Sequence, residues 1–548
     1  MSPAARKKPA AAPRRAARSG GSFPPALVLA LLTFVVCCAC LAPYMPDDSF
    51  ISFRYAEHLA DGHGLAFNIG ERPVEAYSNL LWILLCALFY KAGMSLPQVT
   101  PYAGVLAGMA CVVVLWTLVR RRAPLWTQQL PPMLLFAGFG PFVLYAVSGM
   151  ETALFALLLL LVVRTGEDVI AHPGAKGMAA FTVAGFLASL TRPEGVLVFP
   201  VAAALAFWEL RAADRLRAAR RTLGVAAAAF VVATVAYHAW RVAYFGEWLP
   251  TPFLSKGAEG AGLLSGWRMN LSSYFINWTY YYPPQGYAFV ALALLGFAGL
   301  HARVVSGERA SGDRLAVALA LVLGMVYANF VDWMPAMRYH VALAGLLIIP
   351  VASLHALLPA AAWTAASGAR AGRFAALVLV LLLGGALGLT HLKMVTRKMT
   401  ESADLCSRPL ATWLRGNFPP DALLAIGDVG MVPYYSGLRT LDIHPQSLTD
   451  SYIAKRDFSA DYVMTRHPDV IALPVRGVYS ARMDPLHFQM YKMETFRLRY
   501  LFVGTVRQQW YEDRAYWIFV RRDLPVPVDR LKALPAGIGK QHRSGLES

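Results

Sequence analysis

Residues 46–55 read Pro46-Asp47-Asp48-Ser49-Phe50-Ile51-Ser52-Phe53-Arg54-Tyr55, directly after a strongly apolar run at residues 25–43. Two adjacent carboxylates repel each other and are costly beside a bilayer. A chain that keeps them at the mouth of a membrane helix has a use for them. Outward from this point, apolar runs of spanning length recur as far as residue 392 and then stop. The 548 residues are 57% hydrophobic and 15% charged, against about 25% charged in a soluble chain. The expectation is a mainly α, polytopic membrane protein with a soluble C-terminal domain.

The first apolar run is about 19 residues, longer than the core of a signal peptide, and reads as a retained first helix. Before it, residues 1–24 are rich in Ala, Arg, Lys and Pro and read as a disordered basic cytoplasmic tail. Candidate spans fall at 25–43, 102–119, 130–147, 150–164, 178–191, 194–210, 222–245, 286–304, 313–331, 338–358 and 373–392, about eleven transmembrane helices. The apolar core Leu80–Tyr90 is too short to cross and reads as interfacial or re-entrant. Basic segments at Arg120–Arg122, Arg211–Arg221, Arg303–Arg314 and Arg370–Arg373 alternate with segments holding Asp47-Asp48, Glu151, Arg192-Pro193-Glu194, residues 246–285 and Asp332. If the basic set is cytoplasmic, the other set lies outside.

The chain divides on this basis into the tail 1–24, a transmembrane catalytic domain 25–392 with an outer loop 44–101, and an extracytoplasmic domain 393–548. The last is expected to be mixed α/β, with strand-like runs at Leu423–Ile426, Val470–Leu473, Tyr500–Gln508 and Tyr516–Arg521 and a turn at Glu512-Asp513-Arg514. Its aromatics Tyr434, Tyr435, Trp510, Tyr511 and Trp517 suit either a glycan platform or its own core.

The net charge is +18. Tail and loop positives that set topology account for much of it, and no nucleic-acid motif accompanies it, so nucleic acid is not an expected partner. Of six cysteines only Cys406 lies in the C-terminal domain, which therefore has no disulfide framework of its own. There is no Walker loop and no Gly-x-Gly-x-x-Gly after a strand, so a nucleotide donor is not indicated. No His or Cys spacing marks a metal site, and a divalent cation at Asp47-Asp48 stays open.

The unusual polar residues at span ends share the outer face: Asp47, Asp48, Arg54, His58, Glu151, Arg192, Glu194, Arg241, Lys256, Asp332, Arg338 and His340. Snorkelling explains a Lys or Arg at one helix end, but not short carboxylates gathered on the same side. Guanidinium and ammonium groups hold phosphate, and a carboxylate can deprotonate a hydroxyl. In a helix starting after Pro46, Asp47 and Arg54 share a face two turns apart, while Phe50 and Phe53 would point to lipid, making this an interfacial helix. By itself an Asp pair at a helix start also fits a cap.

The segment Asp47–Ala56, with His63-Gly64 and Tyr77-Ser78-Asn79, resembles the first outer loop of GT-C membrane glycosyltransferases. Among these it is most similar to terminal β-(1→2)-arabinofuranosyltransferases of actinobacterial cell walls. Further matches follow in order at Ser148–Thr152, Thr191–Gly195, Tyr244–Gly246 leading to Lys256, Asp332–Pro335 leading to Arg338-Tyr339, and Gly427–Gly430 leading to Tyr434–Leu438. The chain departs at Leu249-Pro250-Thr251-Pro252, where members often read Leu-Pro-Asn-Thr.

The resemblance implies a GT-C fold in the bacterial cytoplasmic membrane. It also implies transfer of a sugar from a polyprenyl-phosphate donor to a glycan, lipid or protein acceptor of the cell envelope. Asp47 or Asp48 would be the base, with Asp47 favoured. Arg54, Arg192, Lys256 and Arg338 would meet the donor phosphate. His58, Glu151, Glu194, Tyr244, Asp332, Trp333 and Asp428 would line the cavity. The rival reading is a lipid or glycolipid flippase, which would place ionisable groups near the bilayer midplane.

Overall fold

The computed structural model describes residues 24–41, 44–252, 283–308, 310–327, 334, 336, 338–357, 368–444, 447–450, 452, 459–476, 482–483, 485–508 and 514–524. Its first fourteen helices are α1 Pro25–Cys40, α2 Asp47–Ala60, α3 Leu80–Lys91, α4 Leu96–Val119, α5 Trp126–Ala137, α6 Gly140–Ala146, α7 Thr152–Ala171, α8 Ala175–Thr191, α9 Val198–Ala212, α10 Leu216–Phe245, α11 Pro283–Val305, α12 Ser311–Tyr327, α13 Val341–Val351 and α14 Gly368–Ser402. Tight turns at Pro193–Leu197 and Arg338–His340 lead into α9 and α13.

Over the described residues, every expected span overlaps helical structure. Six helical stretches among the described residues are long and apolar enough to cross a bilayer, and α5 with α6, bent by 59°, makes a seventh. The bend falls where Gly138 ends α5 and Pro141 opens α6, because proline sets a new helix start and cannot continue an old one. Of the other expected spans, α1, α8 and α12 are 16 or 17 residues long, and α7 carries Arg164, Glu167 and Asp168 near its end. This is a multi-pass membrane protein.

Burial sorts the helices. In α13 all eleven residues are buried, as expected of a helix that is apolar on every side. By contrast α10 buries little beyond a stripe of Ala219, Leu223, Ala226 and Phe230 and leaves Val231, Val232, Val235 and Trp240 exposed. Large exposed aliphatics at that density suit a lipid solvent. Both ends of α7 are polar. Glu151 precedes it, and Glu167 near its other end meets Arg121 and Arg122. Sixteen residues separate these carboxylates, about 24 Å of helix, close to the thickness of a bilayer core. Arg122 also meets Asp313 at 3.0 Å, with both side chains almost wholly enclosed.

The C-terminal part is a six-stranded mixed sheet, and the remaining elements are α15 Arg408–Asn417, β1 Leu423–Ile426, α16 Met431–Ser436, β2 Arg439–Asp442, α17 Ala460–Thr465, β3 Val470–Arg476, β4 Arg482–Met483, α18 Pro485–Lys492, α19 Glu494–Arg499, β5 Tyr500–Gln508 and β6 Arg514–Arg521. The strand order is β2-β1-β3-β6-β5, with β4 on β3. Parallel pairs join β1 to β2 and β3, and antiparallel pairs join β3, β6 and β5. Strand β1, Leu423-Leu424-Ala425-Ile426, is buried throughout, as an apolar strand covered on both faces must be. One face packs on Leu410 and Leu414 of α15, the other on Met490 and Phe496 of α18 and α19.

One expectation is corrected here. Helix α2 does not present Phe50 and Phe53 to lipid. Both are fully buried and pack on Tyr434 and Tyr435 of α16, with ring centroids 5.3 Å apart for Phe50–Tyr434 and 6.1 Å for Phe53–Tyr434. The C-terminal domain covers this face. Lipid and a protein surface call for the same apolar residues, so the helical pattern alone does not separate them.

Candidate active site

The site is built where α2, α3 and α7 meet. The turn before α7 needs Gly149, whose φ is +74° and whose Cβ would stand 2.9 Å from Thr100 Oγ1. Trp82 Nε1 donates to the Gly149 carbonyl at 3.0 Å, and Ser49 Oγ donates to the Ser148 carbonyl at 3.2 Å. Glu151 is thereby fixed, 1% exposed. Its Oε1 accepts from Arg338 Nη2 at 3.0 Å and from Arg192 Nη1 at 3.4 Å, while its Oε2 accepts from Asn79 Nδ2 at 3.0 Å. Arg192 Nε donates to Glu194 at 2.6 Å, and the Tyr327 hydroxyl reaches the same oxygen at 3.0 Å. The guanidinium of Arg192 lies 4.8 Å from the Tyr339 ring centroid. Arg338 Nη1 donates to Asp48 Oδ2 at 3.3 Å. Asp48, Glu151, Glu194, Arg192 and Arg338, from four distant parts of the sequence, thus form one network.

Asp47 stands differently. Its Oδ2 accepts from the Gly430 backbone N–H at 2.8 Å and its Oδ1 from that of Met431 at 2.7 Å, at the start of α16. It therefore caps a helix of the C-terminal domain. Burial and the nearby Asp428 carboxylate push its pKa up to about 7, against the opposing pull of the two N–H donors.

Other expected residues take structural places. Arg54 is not open to a phosphate. Its Nε donates to the Phe67 carbonyl at 2.7 Å, Nη1 to that of Pro433 at 2.7 Å, and Nη2 to that of Leu438 at 2.8 Å. It shares with Asp47 the face of α2 turned to α16, as their spacing predicts. His58 Nδ1 lies 2.7 Å from the Ala66 carbonyl, and the Tyr244 hydroxyl accepts from the Leu65 N–H at 3.0 Å. Both residues bind the outer loop rather than the Asp48 network. Asp428 accepts from the Tyr516 hydroxyl. Lys256, Asp332, Trp333, Trp510 and Tyr511, and the Glu512-Asp513 turn, lie outside the described residues. Among the described residues no group of three His, Cys, Asp or Glu side chains is placed to hold a metal ion.

Sequence reading missed four contacts. Glu75 forms a buried pair with Arg241 of α10, its Oε1 accepting from Nε at 2.9 Å. A cation in an apolar helix announces that it needs a partner, but nothing local names one 166 positions away. Thr251, at the departure from the family pattern, donates its N–H to the Glu75 carbonyl at 3.0 Å. Tyr327, at the end of an apolar helix, gave no signal, and neither did Glu57, which accepts from the Tyr434 hydroxyl.

Comparison with known proteins bears on this geometry. A family model described as a domain of unknown function, DUF8728, matches residues 397–519. Terminal β-(1→2)-arabinofuranosyltransferase of Mycobacterium tuberculosis is 31% identical over 234 residues, 40% of this chain and 35% of that protein. The chain thus spans about a third of this curated relative's length. ArnT from Cupriavidus metallidurans, bound to undecaprenyl phosphate, superposes over 94% of this chain and 98% of its own with a TM-score of 0.57 at 14% identity. The chain has the GT-C fold. Within that fold a second structure, the archaeal oligosaccharyltransferase AglB from Archaeoglobus fulgidus in complex with an inhibitory peptide and a dolichol-phosphate, covers 82% of this chain and 68% of its own with a TM-score of 0.51 at 13% identity.

Proposed function

We propose that this protein transfers a sugar from a polyprenyl-phosphate donor to an acceptor hydroxyl outside the bacterial cytoplasmic membrane. The observation that carries the reading is the Asp48–Arg338–Glu151–Arg192 network. It sets a partly exposed carboxylate on one guanidinium and joins that guanidinium to a second through a buried carboxylate, at helix ends in a multi-pass fold. The lipid phosphates named with ArnT and AglB support a lipid-phosphate donor. The arabinofuranosyltransferase relative favours a pentofuranose, with a cell-envelope glycan, lipid or protein as acceptor. In this reading residues 25–392 carry the reaction, and the active site and residues 393–548 face outward.

Asp48 is the base we assign, because both Asp47 oxygens are already engaged by backbone amides. The acceptor hydroxyl gives its proton to Asp48, and its oxygen attacks the anomeric carbon from the face opposite the leaving group. The bond from that carbon to the phosphate oxygen breaks, the electron pair stays on the phosphate, and configuration inverts. Arg192, Arg338 and Lys256 stabilise the phosphate charge that develops. Glu151 and Glu194 hold the two guanidiniums in place.

The test is transfer from a synthetic polyprenyl-phosphate sugar by the purified full-length chain. Asp48→Asn is expected to lower turnover by about 10²–10⁴-fold, the usual contribution of a general base, and Asp47→Asn by less. Full turnover in Asp48→Asn would move the base role elsewhere. Movement of lipid across vesicles without any transfer would replace the reading by a flippase.

A further inference from the structure

The network has no guanidinium to spare. Three carboxylates (Asp48, Glu151 and Glu194) face two guanidiniums (Arg192 and Arg338), and each cation already holds two carboxylates. An entering phosphate meets one negative charge in excess in this network and must displace a carboxylate to be held by either guanidinium. Displacement is hardest at Arg192, where Glu194 sits at 2.6 Å and the Phe155 and Tyr339 rings flank the guanidinium. Glu151 is also secured, its side chain 2% exposed and bonded to Asn79. Arg192–Glu151 is the longest pair at 3.4 Å but both side chains are enclosed; Arg338–Asp48, 3.3 Å apart, is the pair open to exchange, with the Asp48 side chain 24% exposed. Next to it, Arg338 Nε is buried with no hydrogen-bond partner among the described residues. A buried N–H donor without a partner is unfavourable and rare.

We infer that the donor phosphate exchanges with Asp48 on Arg338. The phosphate takes the Nη1 donor that Asp48 held and the unpartnered Nε. Asp48 Oδ2, no longer occupied by the guanidinium, becomes free to accept the acceptor's proton. This inference rests on the function proposed above and adds an order of events: donor first, then activation of the acceptor. Glu151 acts as a positioning residue, the counter-charge that holds Arg338 in place while its other arm changes partner. After transfer the polyprenyl phosphate carries one more negative charge than the donor diester did. Asp48 passes its proton to water, and its return to Arg338 helps release the product.

The order predicts a gain of affinity on removing a carboxylate. Undecaprenyl phosphate binding to the full-length wild-type chain, to Asp48→Asn and to Arg338→Gln is measured by direct titration. Asp48→Asn should bind about tenfold more tightly than wild type, and Arg338→Gln about tenfold less tightly, each a step of about 1.4 kcal/mol. Unchanged or weaker binding by a folded Asp48→Asn overturns the exchange. A second measurement needs no variant. Wild-type protein should bind an acceptor glycan analogue only when undecaprenyl phosphate is present, and equal acceptor binding without it also overturns the order. If wild-type protein binds no undecaprenyl phosphate, the proposed function falls as well. If it binds and transfers while Asp48→Asn shows no gain, only the exchange is wrong.

Discussion

A Cβ atom at Gly430 would fall on the backbone carbonyl oxygen of Asp47. The C-terminal domain therefore reaches the acid pair through a position with no room for a side chain. Gly430→Ala should cost about 1–3 kcal/mol, the range for forced overpacking. It should also reduce transfer, because α2 carries Asp48. Thermal melting of the two proteins measures the first effect, and a wild-type melting temperature in the variant would refute the contact.

Asp47 gives the contact a pH dependence. Its folded pKa, near 7, lies above the ordinary carboxylate value of about 4. Between these values the folded chain binds more protons than the unfolded chain. The stability involved is therefore present below about pH 4 and is lost as pH rises through about 7. Wild-type protein should melt lower at pH 8 than at pH 5, and Asp47→Asn, which cannot ionise, should shrink that difference. An undiminished difference in Asp47→Asn would place the titrating group elsewhere.

Arg54 separates scaffold from substrate contact. With all three nitrogens on carbonyls, Arg54→Lys should lose about 1–3 kcal/mol of stability while leaving undecaprenyl phosphate affinity near the wild-type value. A tenfold loss of affinity at unchanged melting temperature would return Arg54 to the phosphate site.

Glu75 and Arg241 fasten the outer loop to α10, with both side chains 3% exposed. Glu75→Gln alone leaves a buried guanidinium under-paired and should cost about 3–5 kcal/mol. Replacing both, as in Glu75→Leu with Arg241→Met, should recover most of that loss. Additive losses in the double variant would show that the two residues are not coupled.

The spans were legible because hydropathy over some twenty residues reports directly on a bilayer's thickness. Strands Leu423–Ile426 and Tyr500–Gln508 were legible as apolar or β-branched runs. Strand β2, Arg439-Thr440-Leu441-Asp442, was not, because four residues with one aliphatic side chain become a strand only through parallel pairing with β1.

The sequence alone determined that this is a multi-pass helical protein with a mixed α/β end, and that the acid pair at residues 47–48 stands at a helix start. Only the tertiary structure separated the two carboxylates. Neighbours in a helix point about 100° apart, so Asp47 turns to the Gly430 and Met431 amides while Asp48 turns to Arg338. Which way each turns depends on the rotation of α2. That rotation is set by the packing of Phe50 and Phe53 under Tyr434, a contact between segments nearly four hundred positions apart that no local pattern encodes.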